Sequence, residues 1–249
     1  GSNSTDNYGN NAGYAYQALM QADWIITQTE RQAVLLKERF DRPAQVLRNP
    51  IDLNDSQLTG PRTSPPTPAC LWIGKSDSVK RPEILIDLAR QLPEFQFTMV
   101  MNRSNAEIHA TIVNEAPANV QIIEKVPISQ IESLFQEASF LINTSIFEGF
   151  PNTFLQAGKY GVPVVSLNVD PDDFIHKYMC GITTNGDFVQ IVDGLRSLHL
   201  DTDRYQQYSK NIFNYAKDHH DLNGIGNDFN QMILDLLKSS KPSETNRQT

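Results

Sequence analysis

The sequence predicts an α/β fold, a doubly wound parallel sheet, and three observations carry that reading. From Ala69 onward, apolar runs alternate with amphipathic segments of about ten residues, the signature of βαβ units. The runs "ACLWIG", "FQFTMVM", "FLINTS" and "VPVVSLNV" are continuous rather than alternating, as in strands covered by helices on both faces. The chain has 249 residues, 39% of them hydrophobic, which is enough for one large or two small cores.

Taken in order, residues 1–15 form a flexible lead, opening on a Gly1-Ser2 pair that reads as the scar of a removed tag and is set aside. The sequence is therefore expected to be a piece of a longer protein. "AYQALMQA" has helical spacing and "WIITQ" reads as a short strand. "TERQAVLLKERF" starts on Thr29, a helix N-cap, with Ala33, Leu36 and Phe40 at helical intervals. "AQVLRNPIDL" is a strand and turn stopped by Pro50. "GPRTSPPTPA" is a proline-rich linker, so residues 16–68 are read as a separate lead-in segment.

The regular part follows over 69–200. After "ACLWIG" comes the helix "RPEILIDLARQL", with Pro82 in its first turn. "FQFTMVM" and "VQIIEKV" are strands, separated by the helix "NAEIHATIVNEA". "SQIESLFQEA" is a helix with an expected capping box, Ser129 with Glu132. "FLINTS", "NTFLQAGKY" and "VPVVSLNV" give strand, helix and strand. "DDFIHKYM" and "GDFVQIVDGLRSL" are shorter helices. Two longer helices fill 201–238, and 239–249 is a polar, disordered tail. There is no internal repeat.

Composition excludes several functions. With 21 basic and 29 acidic residues the net charge is -8, without basic blocks, which argues against nucleic acid or an anionic membrane as the main partner. Mean hydropathy is -0.40, and no apolar run approaches the roughly 20 residues that span a bilayer, so no transmembrane segment is read. Cys70 and Cys180 have no metal-binding spacing and are read as free packed thiols of a reducing cytosol. His219-His220 lacks a clustered ligand set. "DPDD", Asp170 to Asp173, resembles a DxD metal clamp, but a turn and helix cap is the preferred reading. No metal site is expected.

In a doubly wound sheet, ligands bind outside the carboxyl ends of the strands. The residues just past those ends are therefore the candidates. After "LWI" come Gly74, Lys75 and, further on, Lys80; after "MVM" come Asn102 and Arg103; after "IIE" come Lys125 and Val126. After "LINT" comes "SIFEGFPNTFLQA", with Glu148 ahead of Gly149, Phe150, Pro151, Asn152 and Thr153. A lone lysine or loop acid is ordinarily solvated. Here two lysines precede a helix, whose free N–H groups and dipole already favour anions. A carboxylate beside them repels phosphate but accepts hydrogen bonds from hydroxyls. The combination suits a ligand carrying both phosphates and hydroxyls, a nucleotide sugar. Neither GxxxxGK[ST] nor GxGxxG is present.

"LWIGKSDSVKRPEILIDLA" followed by "SIFEGFPNTFLQAGKYGVPVV" resembles the C-terminal half of the retaining GT-B glycosyltransferases, the glycosyl transferases of group 1. The resemblance spans about residues 16 to 238 and is most specific over 70 to 185. It implies a Rossmann-like, nucleotide-sugar-binding domain, with part of the N-terminal domain and crossover attached. It places Lys75 and Lys80 on the diphosphate leaving group and Glu148, the first acid of an E-x7-E motif, on the donor sugar. Gly74, Gly149, Phe150, Pro151, Asn152 and Thr153 would line the donor, and Val126 would lie against its base. Gln156 stands where the second acid contacts ribose. Glutamine keeps an acceptor but loses the stronger charge-assisted hydrogen bonds. Lys75 stands where the family has arginine, losing bidentate phosphate geometry.

The resemblance thus implies the donor-binding half of a hexosyltransferase that moves sugar with retention, with no obligatory cofactor. The chain alone is expected to be inactive, because the missing N-terminal domain supplies the acceptor site. The full-length enzyme is expected in the cytoplasm, with peripheral membrane association left open. Two alternatives stand beside this: a non-catalytic binding or scaffold domain derived from a transferase, which Gln156 favours, and a nucleotide-sugar epimerase, which would act without an acceptor.

Overall fold

The computed structural model describes residues 12–53, 62–65 and 67–239. The chain divides into two compact units, Gly1–Arg48 with Asn227–Thr249, and Asn49–Gly226. Of the flexible lead expected over 1–15, residues 1–11 lie outside the described residues and 12–15 are already helical; the tail beyond 239 and part of the proline-rich stretch also lie outside the described residues.

In the first unit, helix α1 (Ala12–Gln21) precedes strand β1 (Ile26–Thr27), α2 (Glu30–Phe40) and β2 (Gln45–Val46). β1 and β2 pair in parallel. Thr29 caps α2 as expected, its side chain accepting from the Gln32 amide at 3.1 Å. The helix stops at Asp41, whose left-handed backbone (φ 52°) returns its N–H to the Leu36 and Lys37 carbonyls.

The second unit carries the sheet. Its elements are β3 (Ala69–Lys75), α3 (Pro82–Gln91), β4 (Gln96–Asn102), α4 (Ala106–Glu115), β5 (Val120–Ile123), α5 (Ile128–Glu137), β6 (Phe140–Asn143), α6 (Asn152–Lys159), β7 (Val164–Ser166), α7 (Phe174–Lys177), β8 (Gly181–Thr183), α8 (Phe188–Leu200) and α9 (Thr202–His220). The last helix, α10 (Leu222–Ser239), contains the dividing residues between the two units. The six strands run in the order β5-β4-β3-β6-β7-β8, and every pairing is parallel. Numbered within the sheet, that is 3-2-1-4-5-6, the dinucleotide-binding order. Strand order reverses between β3 and β6, so the crevice at their carboxyl ends is the topological switch point.

Alternation along each strand sorts the core into two layers. Cys70, Trp72, Ile142 and Val165 pack with Leu85, Leu88 and Leu195 from α3 and α8. Leu71, Leu141 and Val164 pack on the other face with Phe135, Phe154 and Ile212 from α5, α6 and α9. Both cysteines are free and buried, and burial pushes the Cys180 thiol up to about 12.

Two local expectations are corrected. The Ser129–Glu132 capping box does not form: α5 is capped by Pro127 without a side-chain bond, and Glu132 turns instead to Lys159 at 2.9 Å. The helix starts at Ile128, so Ser129 already lies inside it and is not in the cap position. Strand β8 was not expected. It is three residues long and starts at Gly181, where an added Cβ would lie 1.8 Å from the Val164 carbonyl oxygen.

Candidate functional site

The site forms where the loops leaving β3 and β6 meet. Beyond β3, Asp77 Oδ1 accepts the amides of Val79 and Lys80 at 3.0 and 2.8 Å, an Asx turn that fixes the backbone before α3. Arg81 then takes a left-handed conformation (φ 48°), costing about 1–3 kcal/mol for a non-glycine residue. In that geometry its Nε donates to the Thr144 carbonyl at 2.8 Å. Three more bonds tie the loops: Thr144 Oγ1 donates to the Lys80 carbonyl at 2.6 Å, Trp72 Nε1 donates to Thr144 Oγ1 at 2.9 Å, and the Ile146 amide donates to the Val79 carbonyl at 2.9 Å.

This seam brings Lys80 and Glu148 together. Lys80 Nζ lies 2.8 Å from Glu148 Oε2, with the two side chains 25% and 17% exposed. The second carboxylate oxygen is held as well. Glu148 Oε1 accepts from Asn143 Nδ2 at 2.7 Å and from Ser145 Oγ at 2.8 Å. Asn143 Oδ1 in turn accepts the Ser145 amide at 3.1 Å, which sets the amide so that its NH2 faces Glu148. Asn143, Thr144 and Ser145 are all buried.

Glu148 leads directly to α6. Its N-cap is Pro151, with no side-chain cap bond, so no side chain of the cap takes up the first-turn amides. Asn49 fastens this entry, donating from Nδ2 to the Phe150 carbonyl at 3.3 Å and to Asn152 Oδ1 at 2.9 Å. The arrangement therefore sets an ammonium, a carboxylate and a helix N-terminus at one switch point. That group of donors and acceptors can meet an anion and hydroxyls side by side.

The other expected residues are placed as follows. Lys75 is the last residue of β3 and is exposed at the same edge. Gly149, Thr153 and Gln156 are half-buried and Asn152 exposed along the entry and first turns of α6. The Phe150 ring is buried, 5.3 Å from Phe174 and 4.7 Å from His220 between ring centroids, so this residue turns its side chain to the core. Gly74 has a packing reason: an added Cβ would lie 2.6 Å from the Trp72 ring. Val126 follows β5, two strands away from β3, and is half-buried. Asp170 caps a turn, accepting the Ile175 amide at 2.8 Å. Among the described residues, no group of three or more His, Cys, Asp or Glu side chains could hold a metal ion, and no helix is long and apolar enough to cross a membrane. Sequence reading missed Asn143, Thr144, Ser145, Arg81 and Asn49, although the first three sit at the end of a strand already marked as leading to the site.

Comparison with known proteins decides the family. The model of the glycosyl transferases group 1 family matches residues 67–201. The chain belongs to that family. The match contains both loops of the switch point and the whole of α6. Among curated proteins, the lipopolysaccharide 1,6-galactosyltransferase of Salmonella typhimurium is 29% identical over 159 residues, covering 60% of this chain and 44% of that protein. The Escherichia coli protein of the same name is 26% identical over 166 residues, covering 61% and 46%. The chain thus spans less than half the length of these relatives. Among solved structures, sucrose-phosphate synthase from Thermosynechococcus elongatus superposes with a TM-score of 0.79 at 16% identity, over 95% of this chain and 65% of that one. Anabaena HepE in complex with UDP-glucose gives 0.75 at 18%, over 92% and 67%. The pneumococcal O-GlcNAc transferase GtfA in complex with UDP and GlcNAc gives 0.70 at 19%, over 94% and 50%. These likenesses agree with the GT-B, Rossmann-like fold read from the sequence.

Proposed function

We propose that this chain is the donor-binding half of a retaining glycosyltransferase, which moves a sugar from a nucleoside diphosphate sugar to an acceptor. The observation that carries the reading is the Lys80–Glu148 pair at the switch point, 2.8 Å apart and next to the start of α6. Lysine has three N–H donors, so Lys80 keeps two for phosphate oxygens while it holds Glu148. Lys75 adds a second cation at the same edge, and the first amides of α6 a third source of positive potential. Together they meet the charge that develops on a departing diphosphate, which is electrostatic stabilisation of the leaving group. Glu148 accepts from the sugar hydroxyls, and Gln156 from ribose. Residues 69–200 form the donor-binding domain. The acceptor site falls to the part of the relatives that this chain does not span.

The galactosyltransferase names of the curated relatives make UDP-galactose the first donor to try, and the UDP and UDP-glucose named with two of the similar structures support a uridine nucleotide. The test is a thermal-melt series with UDP, GDP and ADP and their hexose esters, beside a Lys80→Ala variant. One nucleotide is expected to raise the melting temperature, and Lys80→Ala to abolish that shift. No shift with any of them at millimolar concentration would sink the reading for this chain.

Gln156 favours a second reading, a binding domain that has lost its chemistry. Gln156→Glu separates the two. Tighter nucleotide binding, with ribose held by a charged acceptor, supports a working site. No change supports the vestigial one.

A further inference from the structure

The way Glu148 is held has a consequence for what the site selects, and it rests on the donor-site reading above. Both partners of Oε1 are buried and belong to the protein: Asn143 Nδ2 at 2.7 Å and Ser145 Oγ at 2.8 Å. Neither can turn away easily. Asn143 is pinned through its own Oδ1 by the Ser145 amide, and the Ser145 carbonyl accepts from Asn168 Nδ2 at 3.4 Å. Oε1 is thus saturated by its neighbours. Only Oε2, already 2.8 Å from Lys80 Nζ, is left to face a ligand.

We propose that Asn143 and Ser145 are positioning residues that lock Glu148 against Lys80, so that the site discriminates an intact nucleoside diphosphate sugar from the bare nucleoside diphosphate. The chemistry is one of charge. In the sugar ester, the distal phosphate carries one ionised oxygen and presents hydroxyls beyond it. In the bare diphosphate, the same phosphorus carries a further ionisable oxygen where the sugar was attached. A fixed carboxylate next to Lys80 accepts from a hydroxyl but repels that extra charge, and does so strongly because the pair is mostly shielded from water. A carboxylate free to swing into solvent would do neither. Locking Glu148 therefore favours the substrate over the spent nucleotide and helps the product leave.

The experiment is titration calorimetry of the 249-residue chain with three pairs of probes: UDP with UDP-galactose, GDP with GDP-mannose, and ADP with ADP-glucose. The readout is the ratio of the two dissociation constants within the pair that binds. Glu148→Gln keeps the size and removes the charge, and is expected to tighten the bare nucleotide about tenfold, the effect of removing roughly 1.4 kcal/mol of repulsion. Ser145→Ala and Asn143→Leu are expected to shift the ratio in the same direction, and Ser145→Thr, which keeps the hydroxyl, to restore it. A purely structural role would weaken both members of a pair together and leave the ratio alone. Circular dichroism melts check that each variant folds, and Ser145→Ala carries the test if Asn143→Leu does not. If a pair binds and its ratio is the same in the wild type, Ser145→Ala and Glu148→Gln, the inference is overturned and the donor-site reading stands. If no probe binds the wild type, the donor-site reading itself fails and takes the inference with it.

Discussion

Trp72 Nε1 donates to Thr144 Oγ1 at 2.9 Å, joining the middle of β3 to the end of β6 across the switch point. Thr144 passes the connection on, donating to the Lys80 carbonyl at 2.6 Å. A buried indole thus sets the height of the loop that carries Lys80. The indole can lie there only because residue 74 has no side chain.

Gly74→Ala tests that dependence. The new Cβ would meet the Trp72 ring at 2.6 and 2.8 Å, closer than real contacts allow, and the ring is 98% buried with little room to retreat. Overpacking of this kind costs about 1–3 kcal/mol. The expected outcome is an unfolding free energy lowered by that amount, read as a lower urea midpoint at unchanged m-value, with part of the loss recovered in the double variant Gly74→Ala, Trp72→Phe. A single variant as stable as the wild type would show that the strand yields, and that the glycine serves the ligand side.

Arg62 is a second structural tie that can be tested. Its Nη1 donates to the Phe135 and Tyr160 carbonyls at 3.0 and 3.1 Å, and its Nη2 to the Gln136 carbonyl at 2.6 Å. One guanidinium therefore closes the C-terminal ends of α5 and α6, where helices leave carbonyls unpaired and favour cations. Arg62→Met should lower stability by about 2–3 kcal/mol, the loss of charged hydrogen bonds without loss of volume. Arg62→Lys should recover little, because a single ammonium cannot span three carbonyls. Equal urea midpoints for wild type and Arg62→Met would mean that water replaces the arginine at no cost.

What could be read from sequence, and what could not, follows from range. β3, β4 and β6 were legible because strands buried on both faces leave unbroken apolar runs. Lys80 and Glu148 could be marked as candidates because residues just past strand ends converge at the switch point, where the structure pairs them. β8 was hidden: three residues beginning with Gly181 and holding one apolar side chain, Ile182, make no apolar run, and the glycine is there for the Val164 carbonyl of the neighbouring strand. Asn143 and Ser145 look like ordinary strand-end polar residues, and their role depends on how the loop folds back onto Glu148. Gly74 was expected to line the donor, while its packing partner Trp72 is two positions back along the same strand face, a relation that only the rotamer reveals. The Ser129–Glu132 box failed because the helix starts earlier, at Ile128 after Pro127, which leaves Ser129 inside it rather than at its cap.

The two lysines of the site should behave differently when removed. Lys80→Ala leaves Glu148 Oε2 without its cation in a place only 17% exposed, so it should cost about 1–3 kcal/mol of stability as well as ligand affinity. Lys75 is exposed at the strand end, and Lys75→Ala should change stability by no more than about 0.5 kcal/mol while weakening the nucleotide shift. Paired denaturant and ligand melts separate the two effects. Equal destabilisation by both substitutions would contradict a stabilising Lys80–Glu148 ion pair.

Asp170 gives a pH prediction. Burial pushes its carboxyl above the ordinary range, only partly offset by the amides of Ile175 and His176. The folded state therefore holds the proton more tightly than the unfolded chain does. The stability contribution of that proton is fully present below the unfolded value, about 3.9, and is lost as pH rises through the folded value. Asp170→Asn keeps an oxygen that can accept the Ile175 amide now bonded at 2.8 Å, but it has no charge to bury. The variant and the wild type should thus be equally stable near pH 3, and the variant should gain on the wild type as pH rises through the raised folded value, with no further change once the carboxyl is ionised in both states. Urea midpoints taken across pH 3 to 8 would show it. A variant that instead loses ground over that range would mean that the charged carboxylate is favoured by the two amides after all, and that its interaction with the turn outweighs its burial.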